Sequence, residues 1–184
     1  MDTALKYKDA IIQEIDSYAL DPTAIFIGYN TVKGSRLYGT LNNVPVKQCL
    51  ETPVCENLMV SLAIGMALEG YKPVVCFERH DFLLLGLDAL VNHVDKMPWL
   101  SGDQFKLPII IRAVVGAKNP LNPGPQHTGD YTIALRNMLK HTDIFCPFYW
   151  GREWLSKAWG YVGKSDSGAV VIIEERDLYE QEIK

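Results

Sequence analysis

Between Leu5 and Ala19 the apolar positions Leu5, Ile11, Ile12, Ile15 and Tyr18 fall at helical spacing, with Lys8, Gln13 and Glu14 among the polar positions between them. The spacing predicts an amphipathic opening helix ending near Asp21-Pro22. Residues 24–28 (AIFIG) form a short continuous apolar run, the pattern of a strand covered on both faces. A long polar connection, YNTVKGSRLYGTLNN, follows, and its composition leaves open whether it carries function or is disordered. Thr52-Pro53 supplies a cap residue and a proline suited to a first helical turn, so a helix is expected over 54–69, stopped by Gly70. The alternation repeats with PVVCF (73–77) as strand, 82–96 as helix and PIIIRAVV (108–115) as strand. After the breaker-rich GAKNPLNPGPQHTG come a helix over 130–140, the strand DIFCP, the helix REWLSKAWGYVG and a final strand GAVVIIEE. Continuously apolar strands separated by helices imply parallel pairing, hence the α/β class: a doubly wound parallel sheet with helices on both faces.

Composition narrows the function classes. At 184 residues, 48% hydrophobic and 22% charged, the chain has the size and balance of a single folded domain. A net charge of -4 leaves no basic surplus for a phosphate backbone or an acidic membrane surface, so neither nucleic acid nor membrane is an expected partner. Cys49, Cys55, Cys76 and Cys146 form no C-x-x-C pair, and none lies near a histidine at zinc spacing, which speaks against a metal or disulfide scaffold. The N-terminus carries acids early, unlike a secretory signal, and the apolar stretches FLLLGL and LPIIIRAVVG fall short of the roughly 20 residues of a membrane span. A cytoplasmic, reduced protein is expected.

In doubly wound sheets ligands sit outside the carboxyl ends of the strands, which directs attention to residues 29–45, 78–82 and 116–130. The segment leading to Glu56 is expected to approach from another direction. On spacing alone Glu56 is a carboxylate near a helix N-terminus, favourable by about 0.3 to 1 kcal/mol. His127 lies in a loop shaped by Gly116, Gly124, Gly129, Pro120, Pro123 and Pro125, where it is either an exposed loop histidine or an acid, base or polar ligand of substrate. His80 and Asp81 follow a strand directly and face the ligand edge, although an ordinary turn also uses Asp. His93 reads as structural and His141 as a helix C-terminal cation. No G-x-G-x-x-G follows the first strand, and neither a P-loop nor a G-x-S-x-G elbow occurs.

Taken together, ETPVCENLMVSLAIGMALEGYKPVVCF, HDFLLLGLDALVNHVDKMPWLSGD, LPIIIRAVVGA and GPQHTGDY resemble the pyrimidine-binding (Pyr) domain of thiamine diphosphate enzymes. The similar branch is that of transketolase and the beta subunits of 2-oxoacid dehydrogenases, and the likeness runs on to the closing VVIIEERDLYE. The resemblance implies that Glu56, in Thr-Pro-x-x-Glu, hydrogen-bonds a ring nitrogen of the cofactor's aminopyrimidine and sets its tautomer. It implies cofactor contacts from Phe77 and His80, the imidazole being a departure from the usual aromatic. It places His127 toward the substrate, with Gln126 a weaker candidate. Thiamine diphosphate also needs a diphosphate-binding (PP) domain, whose Gly-Asp-Gly and downstream Asn hold Mg²⁺. This sequence has no such motif, and Ser101-Gly102-Asp103-Gln104 is not one. The implied assembly is a heterotetramer of two Pyr and two PP chains, with the metal and diphosphate held by the partner. Without the C-terminal transketolase domain, a stand-alone split enzyme is expected rather than a standard multienzyme complex. The implied reaction is decarboxylation of a 2-oxoacid with release or transfer of the aldehyde-level fragment. The alternatives are a split transketolase acting on ketose phosphates, for which Lys118 is the only basic residue in the 116–130 loop, and a non-catalytic scaffold partner.

Overall fold

The computed structural model describes residues 5–147, 153–162 and 168–182. In chain order the elements are α1 (Tyr7–Tyr18), β1 (Ala24–Gly28), β2 (Cys49–Glu51), α2 (Glu56–Leu68), β3 (Lys72–Phe77), α3 (His80–Leu83) and α4 (Met97–Leu100). They continue with β4 (Ile110–Val115), α5 (Thr132–Met138), β5 (Asp143–Phe145), α6 (Trp154–Val162) and β6 (Val170–Glu175). The six strands form one sheet in the order β2-β1-β3-β4-β6-β5, and every pairing is parallel. Parallel strands need crossovers, and here helices cover both faces, which is why these strands read as unbroken apolar runs.

Side chains alternate between the two faces with period two. Ile27, Val75, Phe77, Ile111, Ala113, Val171 and Ile173 pack against Met59, Val60 and Ala63 of α2, the 83–94 segment and Leu135 of α5. Phe26, Val74, Cys76, Ile110, Val114 and Ile172 meet Ile11 and Ile15 of α1, Trp154, Leu155 and Ala158 of α6, and Leu37 and Leu41. This second face also buries a charged pair. The Arg112 guanidinium on β4 grips the Glu174 carboxylate on β6 through Nε and, at 2.9 Å, through Nη2. Nη2 also donates to Thr40 Oγ1 at 2.8 Å, and the Tyr179 hydroxyl donates to Glu174 Oε2 at 2.6 Å. Both charged side chains are fully buried.

Two expectations are corrected, and a third point, left open by the sequence, is answered. The 82–96 helix is broken into a 3-10 turn at Leu84–Gly86 and a π-helical turn at Ala89–Val94, with α3 before and α4 after them. Gly86 lies so close to α2 that an added Cβ would sit 3.3 Å from Val60 Cγ2 and 3.4 Å from the Glu56 carbonyl oxygen, a contact that fixes the local path of the chain. Next, α2 begins at Glu56 rather than at residue 54, and no side chain caps it. The Thr52 N–H instead donates to the Gly28 carbonyl at 3.0 Å, which extends the β1–β2 ladder. The third concerns the 29–45 connection. It is a series of hydrogen-bonded turns leading to the short edge strand β2, an element too small and too polar to show in the pattern. The expected helix over 152–163 reaches beyond the described residues at both ends. Among the described residues no helix is long and apolar enough to cross a membrane.

Candidate active site

Because all six strands run parallel, the segments leaving β1, β2, β3, β4 and β6 gather at one edge of the sheet. The β2 exit leads directly into α2, so Glu56 arrives at this same edge, contrary to the separate approach expected from the sequence. Gly28 makes the first close approach: a Cβ there would lie 2.7 Å from the Cys76 carbonyl oxygen, so β1 and β3 leave the sheet almost in contact. Two carboxylates then tie down the turns after β1. Glu51 accepts the Asn30 N–H at 2.8 Å, the Val32 N–H at 2.6 Å and the Thr31 hydroxyl at 3.1 Å. Glu78 accepts from Asn30 Nδ2 at 2.9 Å and from the Ser35 hydroxyl. Tyr38 donates to the Glu78 carbonyl at 3.0 Å. The connection is thus anchored to the ligand edge by ionised acceptors, which make the stronger class of hydrogen bond.

Glu56 is the first residue of α2 and is only 4% exposed, yet its Oε1 has no hydrogen-bond partner among the described residues. The Tyr29 hydroxyl is buried and unpartnered as well. Burial, followed by the charges of Glu56 and Glu78, holds that phenol well above its usual pKa, which marks Tyr29 as a neighbour of both carboxylates. A buried polar atom without a partner costs about 1–3 kcal/mol, so a group that hydrogen-bonds these atoms would be favoured here. Phe77 is fully buried, with its ring tip 3.5 Å from where a Gly86 Cβ would lie, and Gly86 in turn touches the Glu56 carbonyl. Gly86 thus packs against both the tip of the Phe77 ring and the backbone at the start of α2.

His80 opens α3 with no exposed surface. Its Nδ1 accepts the Tyr131 N–H at 3.4 Å, its ring meets Tyr131 edge-on at 5.6 Å, and its Nε2 has no partner among the described residues. Burial pushes its pKa down to about 4, against the opposing charges of Asp130, 3.7 Å away, and Asp81. The imidazole is therefore neutral at pH 7, with its proton on Nε2. A folded-state pKa below the unfolded value of 6.5 means that the denatured chain binds the extra proton first, so acid destabilises the fold through this residue. Relative to a His80→Phe variant, the parent chain is expected to lose about 3 kcal/mol of unfolding free energy between pH 7 and pH 4. Urea titrations of the two proteins across that range check it, and parallel curves would contradict it.

His127 ends a 3-10 turn at Pro125–His127, is partly exposed, and lies edge-on to Phe82 at 5.6 Å. Gln126 beside it is exposed. The loop is pressed onto the β4 exit, since a Cβ on Gly116 would fall 1.9 Å from the His127 carbonyl oxygen and 2.4 Å from Arg79 Nη1. Glu175, where β6 ends, has its carboxyl pushed up to about 7 by burial and by the charges of Asp130 and Asp177. His93 and His141 are exposed and lie apart from this cluster. Sequence reasoning did not single out Tyr29, Glu51, Glu78 or Glu175. The available signal was position, because each stands at or just beyond a strand's carboxyl end.

The arrangement gathers a buried carboxyl with an unpartnered Oε1, a buried aromatic and a histidine loop on one edge of a parallel sheet. The family model for the transketolase pyrimidine-binding domain matches residues 3–181. The chain belongs to this family. Among its curated relatives, the pyruvate dehydrogenase E1 component subunit beta-4 of Oryza sativa subsp. japonica is 31% identical over 131 residues, covering 66% of this chain and 30% of the relative. The corresponding beta subunit of Rickettsia conorii is 34% identical over 94 residues, covering 51% and 28%. The chain thus spans about a third of the length of the curated relatives it matches. A transketolase from Pichia stipitis superposes with a TM-score of 0.71 at 16% identity, over 98% of this chain and 27% of that one. A split-gene transketolase, solved as an inactive beta4 tetramer, gives 0.69 at 14% identity, over 95% and 52%. The Pyr fold is shared, and the family is one of thiamine diphosphate-dependent enzymes.

Proposed function

We propose that this chain is the Pyr subunit of a split thiamine diphosphate-dependent enzyme that decarboxylates a 2-oxoacid and releases or transfers the aldehyde-level fragment. The observation that carries the reading is Glu56 Oε1, buried and unpartnered at the sheet edge, a position that fits the ring nitrogen of an aminopyrimidine. Bound here, the cofactor would supply a carbon nucleophile for the substrate carbonyl and an electron sink for decarboxylation. Glu56 holds the proton at the ring nitrogen, a general acid–base role worth roughly 10² to 10⁴ in rate. Phe77 and His80 wall the ring pocket. His127, with Gln126 beside it, faces the substrate from the opposite loop. Relatives at 31% and 34% identity that are pyruvate dehydrogenase E1 beta subunits favour a 2-oxoacid over a ketose phosphate.

The diphosphate and Mg²⁺ fall to a separate PP-domain subunit, in a heterotetramer of two chains of each kind working in the cytoplasm. The outer face of α2 supports the need for a partner. Leu58 is 45% and Leu68 48% exposed, Val54 just ahead of the helix is 71% exposed, and Leu84 and Leu85 continue the apolar surface. A surface helix that is apolar on its outward side as well as its inward side expects to be covered. The reconstituted complex, loaded with thiamine diphosphate and Mg²⁺, is expected to release carbon dioxide from a 2-oxoacid in a radiometric or coupled assay. Ketol transfer between sugar phosphates without carbon dioxide release would replace this reading with the split transketolase. Neither activity, in a complex that binds no cofactor, would leave a scaffold.

A further inference from the structure

Three consecutive residues of α3 meet the loop that carries His127. His80 Nδ1 takes the Tyr131 N–H, both Asp81 carboxylate oxygens face the Gly129 N–H at 3.2 and 3.3 Å, and Phe82 lies edge-on to the His127 ring. Of the three, Asp81 supplies the only charge. Its carboxylate sits directly against the loop backbone, since a Cβ on Gly129 would fall 2.7 Å from Asp81 Oδ1 and 2.6 Å from the Tyr131 hydroxyl. The Tyr131 hydroxyl stands 3.5 Å from the same oxygen. On its other side the loop is stopped by Gly116, over which the His127 carbonyl passes. Little within the loop does this work. Ahead of His127 one long-range bond, from the Lys118 N–H to Asp177 at 3.4 Å, holds the start of the loop, and the others are local, from the Gly124 N–H to Asn122 and from the His127 N–H to the Gly124 carbonyl. Thr128 also reaches back only to Gly124. The Asp81–Gly129 contact spans 48 residues, comes two residues after His127, and joins the loop to the β3 exit, where the cofactor pocket begins.

We propose that Asp81 is a positioning residue for His127: by holding the Gly129 N–H it fixes the loop over the β3 exit, and it governs turnover without touching substrate or cofactor. The proposal rests on the substrate-facing role given to His127 above. A charge-assisted acceptor on a backbone N–H is stronger and better defined than a neutral one, and small displacements of a reacting group carry large rate penalties.

The test uses the assembled complex with single and double variants. Asp81→Ala is expected to lower kcat about tenfold while the dissociation constant for thiamine diphosphate stays within twofold. Asp81→Asn keeps an oxygen that can accept the Gly129 N–H and is expected to recover most of the lost turnover. In a His127→Ala background, Asp81→Ala is expected to cost nothing further, because the group it positions is gone. Additive losses in the double variant, equal losses in the Ala and Asn variants, or a cofactor affinity that falls with kcat would each overturn the positioning role. Hydrogen exchange at the Gly129 amide reads the clamp independently of activity and is expected to quicken at least tenfold in Asp81→Ala. Unchanged exchange overturns the clamp itself. Full turnover in His127→Ala, with exchange at Gly129 still quickened by Asp81→Ala, would locate the failure in the function assigned to His127.

Discussion

Replacing Glu56 by Gln is expected to reduce turnover of the assembled enzyme by a hundredfold or more while leaving assembly intact. Gln keeps the shape and can still hydrogen-bond a ring nitrogen, but it has no proton to hold there in exchange, so the loss falls on chemistry rather than on packing. Gln keeps the shape at the start of α2, and Oε1 has no partner among the described residues to lose. Its burial without a partner costs the isolated chain stability. The same substitution removes a buried charge but also a helix N-terminal carboxylate worth about 0.3 to 1 kcal/mol, so the thermal midpoint of the free subunit is expected to change little. Calorimetry of the free subunit, alongside steady-state rates of the complex, reads both effects. Undiminished turnover would remove Glu56 from the mechanism, and a large drop in the midpoint would make the residue structural.

The second large effect lies on the opposite face of the sheet. Glu174→Ala leaves the Arg112 guanidinium buried beside the Thr40 hydroxyl with no carboxylate to balance it, and strips the Tyr179 hydroxyl of its acceptor. Removing one member of a buried ion pair costs about 3–5 kcal/mol, a large share of the 5–15 kcal/mol that holds a typical domain together. The variant is expected to unfold at a much lower urea concentration, with the slope of the transition unchanged. An Arg112→Met, Glu174→Leu double variant removes both charges and fills much of the space, and it is expected to recover most of the loss. If the double variant were as unstable as the single one, the pair would be stabilising in its own right rather than costly only when half of it is lost.

The parts of the fold legible in the sequence are those whose cause is local. AIFIG coincides with β1, and PVVCF falls one residue short of β3, because a strand covered on both faces must be apolar throughout. β2 is invisible for the opposite reason. Three residues, Cys49, Leu50 and Glu51, lie partly exposed on the sheet edge and are held there by pairing with β1, an interaction 23 residues away in sequence at Phe26 and Cys49. Missing β2 also sends the Glu56 segment in the wrong direction, since only a parallel β2 delivers α2 to the ligand edge. The 82–96 run fails as a single helix because the close seat of Gly86 on α2 is a tertiary constraint that periodicity does not carry. The site divides in the same way. Spacing alone gives Glu56 a helix-dipole role, and only the Thr-Pro-x-x-Glu resemblance marks it as functional. The Asp81 contact to Gly129, the Glu78 contacts to Asn30 and Ser35, and the Glu51 cradle all join residues 19 to 48 positions apart, which no local pattern records.

The central claim is that this chain completes a thiamine diphosphate site only with a partner, and one measurement addresses it directly. Purifying the chain from its native cells, identifying stoichiometric partners by mass spectrometry and assaying the preparation for thiamine diphosphate and Mg²⁺ is expected to yield an equimolar second subunit. That subunit should carry Gly-Asp-Gly with a downstream Asn, and cofactor should be present. A homo-oligomer of this chain alone, devoid of cofactor and unable to take up added thiamine diphosphate, would contradict the claim.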